Sequence, residues 1–268
     1  MPEGPEVRKN VDFLNAACKG KKLISLEIQS GRYVKHGPFS GYESLVESDL
    51  KINNVSCKGK FIYFEFDNGS SLWSTLGMSG IWQAYPTQHT RVQLTVAGGT
   101  CVYFNDVRNF GTLKFVSDRK ELDKKLKTLG PDMLNDDVSF ETFKERFQKA
   151  SKKTIAESLM NQAVIAGIGN YLKAEILYAA EISPHRLCGS ITEAEYADLH
   201  QACDLMPSLS YAQGGATLAT YRDAQGKPGD FSRRFAVYNQ KFDPQGNPVI
   251  RETTRDNRTT HWVPKMQS

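Results

Sequence analysis

Residues 161–184 read NQAVIAGIGNYLKAEILYAAEISP, and the middle of that stretch decides what the second half of the chain is. Two apolar-striped helical segments flank Gly167-Ile168-Gly169-Asn170. The glycines let the backbone turn tightly and approach a ligand, and the second helix then begins with free N–H groups suited to a phosphate. Asn170 at that point either caps the helix or binds a phosphate oxygen. An ordinary helical hairpin fits the same letters, so the surrounding sequence has to choose.

Downstream and upstream of this stretch the texture is also helical. Phe140, Phe143 and Phe147 form one stripe, and Thr154-x-x-Glu157 and Thr192-x-x-Glu195 each read as a capping box that opens a helix. Before LGPDML (129–134) the chain reads as strands instead: LISLEIQ (23–29), KFIYFEF (60–66), SLWSTL (71–76), VQLTV (92–96), TCVYF (100–104) and TLKFV (112–116). They are rich in β-branched and aromatic residues, with hairpin signals at Asp67-Asn68-Gly69 and Gly98-Gly99. A helix over residues 3–18 precedes them, its Val7, Val11, Leu14 and Cys18 repeating every three or four residues. Near the C-terminus, FAVYNQKFD (235–243) followed by GNPVIRETT (246–254) suggests one hairpin.

The totals narrow the class. The chain has 268 residues, 40% hydrophobic and 24% charged, enough for one large domain or two modest ones. No apolar run has the length of a membrane helix, and the charged first residues are unlike a signal peptide, so the expectation is an intracellular protein, in cytoplasm or nucleus, with no membrane contact. Five cysteines, Cys18, Cys57, Cys101, Cys188 and Cys203, are odd in number and widely spaced, against both a disulfide framework and a cysteine metal site. The net charge is +4, and all of the excess lies from Gly214 on, where nine Lys/Arg meet five Asp/Glu. A polyanion has its natural seat there.

Three further stretches carry chemistry. The chain opens MPEGPEV; removal of Met1 leaves Pro2 with a secondary amine whose reference pKa of about 8 lies near neutrality, so it can lose its proton and act as a nucleophile. Glu3 beside it supplies the acid that opening a sugar ring requires, although proline and glutamate also simply start helices. NDVRNFG (105–111) puts Arg108 and Phe110 two apart on a turn, a cation and a ring able to enter a base stack, and LGMSG (76–80) offers Met78 on another glycine-flanked turn. RTTHWVPKMQ (258–267) sets Arg258 among hydroxyls and aromatics, as a phosphate contact would be.

These motifs, with KGKF (58–61), GGATL (214–218) and GKPGDFSRRFAVYNQK (226–241), stand in the order found in the formamidopyrimidine-DNA glycosylase/endonuclease VIII family, which the chain resembles over essentially its whole length. The resemblance implies an α+β fold: an N-terminal antiparallel β-sandwich with an N-terminal helix (1–130), a hinge and first helix (131–148), a helix–two-turns–helix domain (149–224) and a β-hairpin finger (225–268), with DNA in the cleft. It implies Pro2 as Schiff-base nucleophile, Glu3 as acid/base, Lys60 as a phosphate contact that assists elimination, and Arg258 as the grip on phosphates beside the lesion. Met78, Arg108 and Phe110 would fill the void left by the flipped nucleotide, His89, Lys152 and Asn170 would hold phosphates, and Glu6, Glu175 and Thr217 would line the base pocket. The partner implied is damaged double-stranded DNA, bound by a monomer, with no cofactor.

Three departures qualify that picture. No cysteine follows Cys203; Asp243, Gln245, Val263 and Met266 fall near the places where a four-cysteine zinc hairpin would have them, so the finger is expected to be zincless and held by packing. Glu157 stands where many relatives carry lysine. MPEGPE resembles endonuclease VIII, whereas LGMSG, the full trio and the loop with Thr217 and Thr220 resemble the purine-specific branch. The expected activity is a bifunctional glycosylase and abasic-site lyase removing 8-oxoguanine and formamidopyrimidines. The alternatives are the same chemistry on oxidised pyrimidines, or a DNA-binding module without catalysis.

Overall fold

A computed structural model describes residues 1–216 and 229–268. Two compact units result: Met1–Pro2 with Glu6–Thr128 and Ala216–Gly229, and Glu3–Pro5 with Leu129–Gly215 and Asp230–Ser268.

The first unit opens with helix α1 (Gly4–Cys18) and continues through strand β1 (Leu23–Ile28), the short helices α2 (Arg32–Lys35) and α3 (Tyr42–Val46), then β2 (Ile52–Lys58), β3 (Phe61–Phe66), β4 (Ser71–Thr75), β5 (Gly80–Gln83), β6 (Thr90–Val96), β7 (Thr100–Asp106), β8 (Thr112–Val116) and helix α4 (Arg119–Lys127). Two four-stranded antiparallel sheets form, in the orders β1-β6-β7-β5 and β2-β3-β4-β8. Side chains alternate inward and outward along β6, as period two requires. The inward rows meet in one core where Leu94, Val102 and Phe104 of one sheet face Phe64, Leu72 and Leu113 of the other, with Trp82 5.6 Å from Phe64. Val7, Val11, Leu14 and Cys18 close that core from α1, so the helical stripe read from the sequence is its buried face. The unit is a β-sandwich.

Two strands lacked a sequence signature. β2 (INNVSCK) is an edge strand whose polar residues face water, and β5 has only 4 residues. Edge strands tolerate the asparagines and lysines that hide them from pattern reading.

The second unit packs helices α5 (Phe140–Gln148), α6 (Ile155–Met160), α7 (Asn170–Ala179) and α8 (Glu193–Ala212). Phe143 and Phe147 are buried, 4.7 Å apart, and the His200 ring of α8 meets Phe143 edge-on at 5.0 Å. Both capping boxes form: the Thr154 N–H donates to Glu157 Oε2 at 2.8 Å while the Glu157 N–H donates back to Thr154 Oγ1 at 3.2 Å, and Thr192 with Glu195 repeats the pattern. Glu157, which stands where many relatives carry lysine, is thus the carboxylate of the cap read from the sequence, and it pairs with Lys153.

The predicted hairpin over 235–254 is met only in part: an isolated antiparallel bridge joins Phe242 to Pro248, and the Val249 N–H donates to the Lys241 carbonyl at 3.0 Å, but no regular strands form there. Strand β9 (Ile250–Thr253) pairs with β10 (Thr259–Trp262), so the arms are IRET and TTHW. Residues 236–238 form a turn instead of a strand, because the N–H groups of Ala236, Val237 and Tyr238 already donate to the Glu175 carboxylate and have none left for a strand partner.

Candidate active site

The N-terminus of α7 is where the chemistry of the second unit gathers. Its first N–H groups have no partner within the helix, and the carboxylate of Glu3, 1% exposed, takes three donors there: Gly169 N–H at 2.7 Å, Tyr171 N–H at 3.0 Å and Leu172 N–H at 3.2 Å. Three such donors and the positive end of the helix suit an ionised carboxylate. This corrects the expectation that the same N–H groups wait for a phosphate. Gly169 makes the seat: a Cβ at this residue would lie 2.2 Å from Glu3 Cδ. The first glycine of the turn contributes too, since the Gly167 carbonyl accepts the Gly4 N–H at 2.9 Å and fixes the start of the chain. Pro2, directly before Glu3, is buried.

Asn170 turns its side chain to the finger, donating from Nδ2 to the Thr259 carbonyl at 2.8 Å. Two residues that the sequence reading missed complete this anchorage. Lys173 is wholly buried, and its Nζ meets Asp256 Oδ2 at 2.6 Å, with side-chain exposures of 0% and 4%. Burial pulls the lysine below its ordinary pKa, and Asp256 opposes that shift. Asp256 Oδ1 in turn accepts from Thr254 Oγ1 and from the Arg258 N–H, fixing the turn that carries the exposed Arg258 between β9 and β10. Neither partner announces itself, because a lysine inside an apolar helix and an aspartate in a turn are matched only across 83 residues.

Glu175, expected in the base pocket, is 3% exposed, with both carboxylate oxygens bound to the backbone of residues 236–238. Burial raises its pKa and those three N–H groups pull it back.

The finger residues do not fit a zinc ion. Val263 is buried against Ala174 and Val237, with Met266 packed on them. Asp243 accepts from the backbone of Gln245 and Asn247 and from the Tyr178 hydroxyl at 3.1 Å. Gln267 closes the end of the chain: Nε2 donates to the Ile182 carbonyl, and Oε1 accepts the Val263 N–H. Among the described residues no His, Cys, Asp and Glu side chains cluster as a metal site requires.

In the sandwich unit, Met78 and Phe110 are exposed, at 38% and 53%, and the Arg108 guanidinium lies over the Phe110 ring at 5.0 Å. The two loops that bear them are neighbours. Lys60 sits with Gly59 in the two-residue turn joining β2 to β3. His89 is half-buried before β6, its carbonyl accepting the Asp106 N–H at 3.0 Å. Glu6 is buried, and its Oε1 accepts the Ala216 N–H at 2.7 Å, holding the chain where it enters residues 217–228. Thr217 and Thr220 lie outside the described residues. Lys152, in the second unit, is exposed in the turn before α6.

A sandwich whose first helix follows a Pro-Glu pair, joined in one chain to a helix–two-turns–helix unit with a basic hairpin, is the build of a DNA glycosylase. The chain belongs to the formamidopyrimidine-DNA glycosylase family: the N-terminal domain of that family matches residues 1–113, its H2TH domain residues 129–220 and its C-terminal domain residues 226–268. It is 34% identical over 275 residues to the formamidopyrimidine-DNA glycosylase of Thermus thermophilus, covering 100% of this chain and 98% of that one. The enzyme of Halalkalibacterium halodurans is 32% identical, with both chains covered in full.

Among solved structures, the MutM (Fpg) protein of Thermus thermophilus superposes with a TM-score of 0.86 at 32% identity, over 99% of this chain and 98% of that one. A Lactococcus lactis Fpg variant bound to Fapy-dG-containing DNA gives 0.87 at 27% identity, over 100% of both chains. The protein is therefore a DNA glycosylase of base excision repair whose partner is damaged DNA, and its family typically also has abasic-site lyase activity. No described helix is long and apolar enough to cross a membrane.

Proposed function

We infer that this chain excises oxidised bases through a Schiff base at Pro2 and cuts the strand by successive β- and δ-elimination, with oxidised purines, 8-oxoguanine and formamidopyrimidines, as its main substrates. The observation that carries the reading is the carboxylate of Glu3, fixed by three N–H groups directly after a proline. Removal of Met1 frees the Pro2 amine, which attacks C1′ of the flipped nucleotide and loses its proton as the glycosidic bond breaks and the base leaves. An ionised Glu3 takes that proton and passes it to O4′; the C1′–O4′ bond opens and the iminium forms. The iminium acidifies C2′, so loss of a proton there expels the 3′-phosphate, and a second elimination expels the 5′-phosphate. Every covalent step uses the protein's own amine, so the scheme has no place for a cofactor.

The remaining roles follow from position. Arg258, on the turn that Asp256 fixes, holds phosphates beside the lesion, with Lys60, His89 and Lys152 as further phosphate contacts. Asn170 serves by tying the finger to α7. Met78, Arg108 and Phe110 occupy the emptied stack. Glu6, which holds the Ala216 N–H, and Thr217 belong to the base pocket. The enzyme acts as a monomer inside the cell; its odd, widely spaced cysteines suit a reducing compartment.

Oxidised pyrimidines are the second reading, because wild-type Lactococcus lactis Fpg, 27% identical at a TM-score of 0.85, has been solved with oxidised-pyrimidine-containing DNA. Borohydride trapping decides. Duplexes carrying 8-oxoguanine opposite cytosine, dihydrouracil, or an abasic site are mixed with the protein. A covalent band with 8-oxoguanine is expected, and a band confined to dihydrouracil and the abasic site moves the enzyme to the pyrimidine branch. A Pro2→Gly variant that excises and cuts normally sinks the nucleophile assignment, and no band on any duplex leaves a DNA-binding module.

A further inference from the structure

The loops that carry Met78 and Arg108–Phe110 come from different strand connections, yet one hydroxyl and one carboxylate join them. Ser79 Oγ donates to Asp106 Oδ1 at 2.5 Å and accepts the Arg108 N–H at 2.8 Å. Asp106 is 1% exposed; its Oδ1 also lies 3.2 Å from the Arg108 N, and its Oδ2 accepts the Gly111 N–H at 2.7 Å. One carboxylate thus holds both ends of the Arg108–Phe110 loop, and Ser79 hangs the Met78 turn from it. The Asp106 carbonyl is itself fixed by Arg91 Nε at 2.8 Å.

Backbone contact reinforces the bond. Gly77 has φ 56, and a Cβ there would lie 2.7 Å from both the Phe110 carbonyl carbon and the Gly111 nitrogen. The two loops therefore touch main chain to main chain, an approach that only glycine permits.

We propose that Ser79 and Asp106 are positioning residues that weld the two loops into one wedge, so that Met78, Arg108 and Phe110 enter the stack together. This rests on the reading of those three side chains as void fillers. A linked wedge loses its conformational freedom once, on folding, whereas three independent side chains would each be ordered at the moment of base extrusion. Ser79 acts through its neighbours.

The test compares Ser79→Ala, Ser79→Thr and Arg108→Ala on two substrates. One is duplex DNA with 8-oxoguanine, or the lesion that trapping identifies, which must be extruded. The other is a single-stranded abasic oligonucleotide, which leaves no void. Ser79→Ala is expected to lower single-turnover excision from the duplex about tenfold more than it lowers abasic cleavage, the factor that about 1.4 kcal/mol represents. Ser79→Thr, which keeps the hydroxyl, is expected to restore most of the difference. Equal losses on the two substrates, no loss on either, or failure of Ser79→Thr to restore the ratio overturns the clamp. Arg108→Ala separates the two layers: if it spares duplex excision the void-filling reading itself fails, and if it impairs duplex excision while Ser79→Ala does not, only the clamp fails.

Discussion

Replacing Gly169 by alanine isolates the seat of Glu3. The backbone there is extended, with φ −125 and ψ −157, so alanine fits without torsional strain and any effect is a collision. The new Cβ would lie 2.2 Å from Glu3 Cδ, 2.4 Å from Oε1 and 2.6 Å from Cγ. Carbon atoms pack at about 3.5 Å, so the carboxyl carbon has to retreat by roughly 1.3 Å. A retreat of that size breaks at least one of three N–H bonds to a charged group, each contributing about 1.5–3 kcal/mol. Thermal unfolding should show it as a loss of about 3–12 °C in Tm for a chain this long.

The chemical consequence is larger than the structural one, because displacing a reacting group by about 1 Å costs about 100-fold in rate. Single-turnover cleavage of an abasic duplex with borohydride trapping measures it directly. The expected result is a folded protein that binds the duplex within a few-fold of wild type and traps it about 100-fold more slowly. A Gly169→Ala enzyme as fast as wild type would refute the argument that Glu3 must lie against the start of α7.

Lys173→Met leaves Asp256 buried without its cation, and chemical denaturation should report a loss of about 3–5 kcal/mol; an unchanged midpoint would mean that the pair is not formed. Arg258→Ala should weaken binding to every duplex alike and reduce the slope of log K against log salt by about 0.9, one phosphate contact, as titrations from low to moderate salt will show. Glu157 is held below its ordinary value of 4.5, first by the backbone N–H of Thr154. Its folded value is the lower one, so the cap contributes fully above 4.5 and is lost as pH falls through the folded value. Glu157→Gln should therefore flatten the acid limb of a stability–pH curve, and an acid limb identical to wild type would count against the cap.

What was legible in the sequence is what neighbours along the chain decide. The β-branched and aromatic richness of VQLTV and KFIYFEF gave strands, because such side chains pack well on a pleated surface. Thr154 with Glu157 and Thr192 with Glu195 gave helix starts, because both partners of a capping box lie within four residues. The order of the motifs from MPEGPEV to RTTHWVPKMQ gave the family, and with it the carbonyl chemistry expected of Pro2 and Glu3.

Tertiary structure decided the rest. The Glu3 carboxylate reaches N–H groups 166 to 169 residues away, and no local pattern says that these donors are taken. Residues 236–238 look like part of a strand and are not, because Glu175, some 60 residues earlier, claims their backbone donors. Lys173 and Asp256 form a buried pair, and Ser79 and Asp106 join two loops, through contacts that exist only once the chain is closed. The sequence states which polar groups are present; burial then obliges each of them to find a partner, and only the folded chain determines which one is within reach.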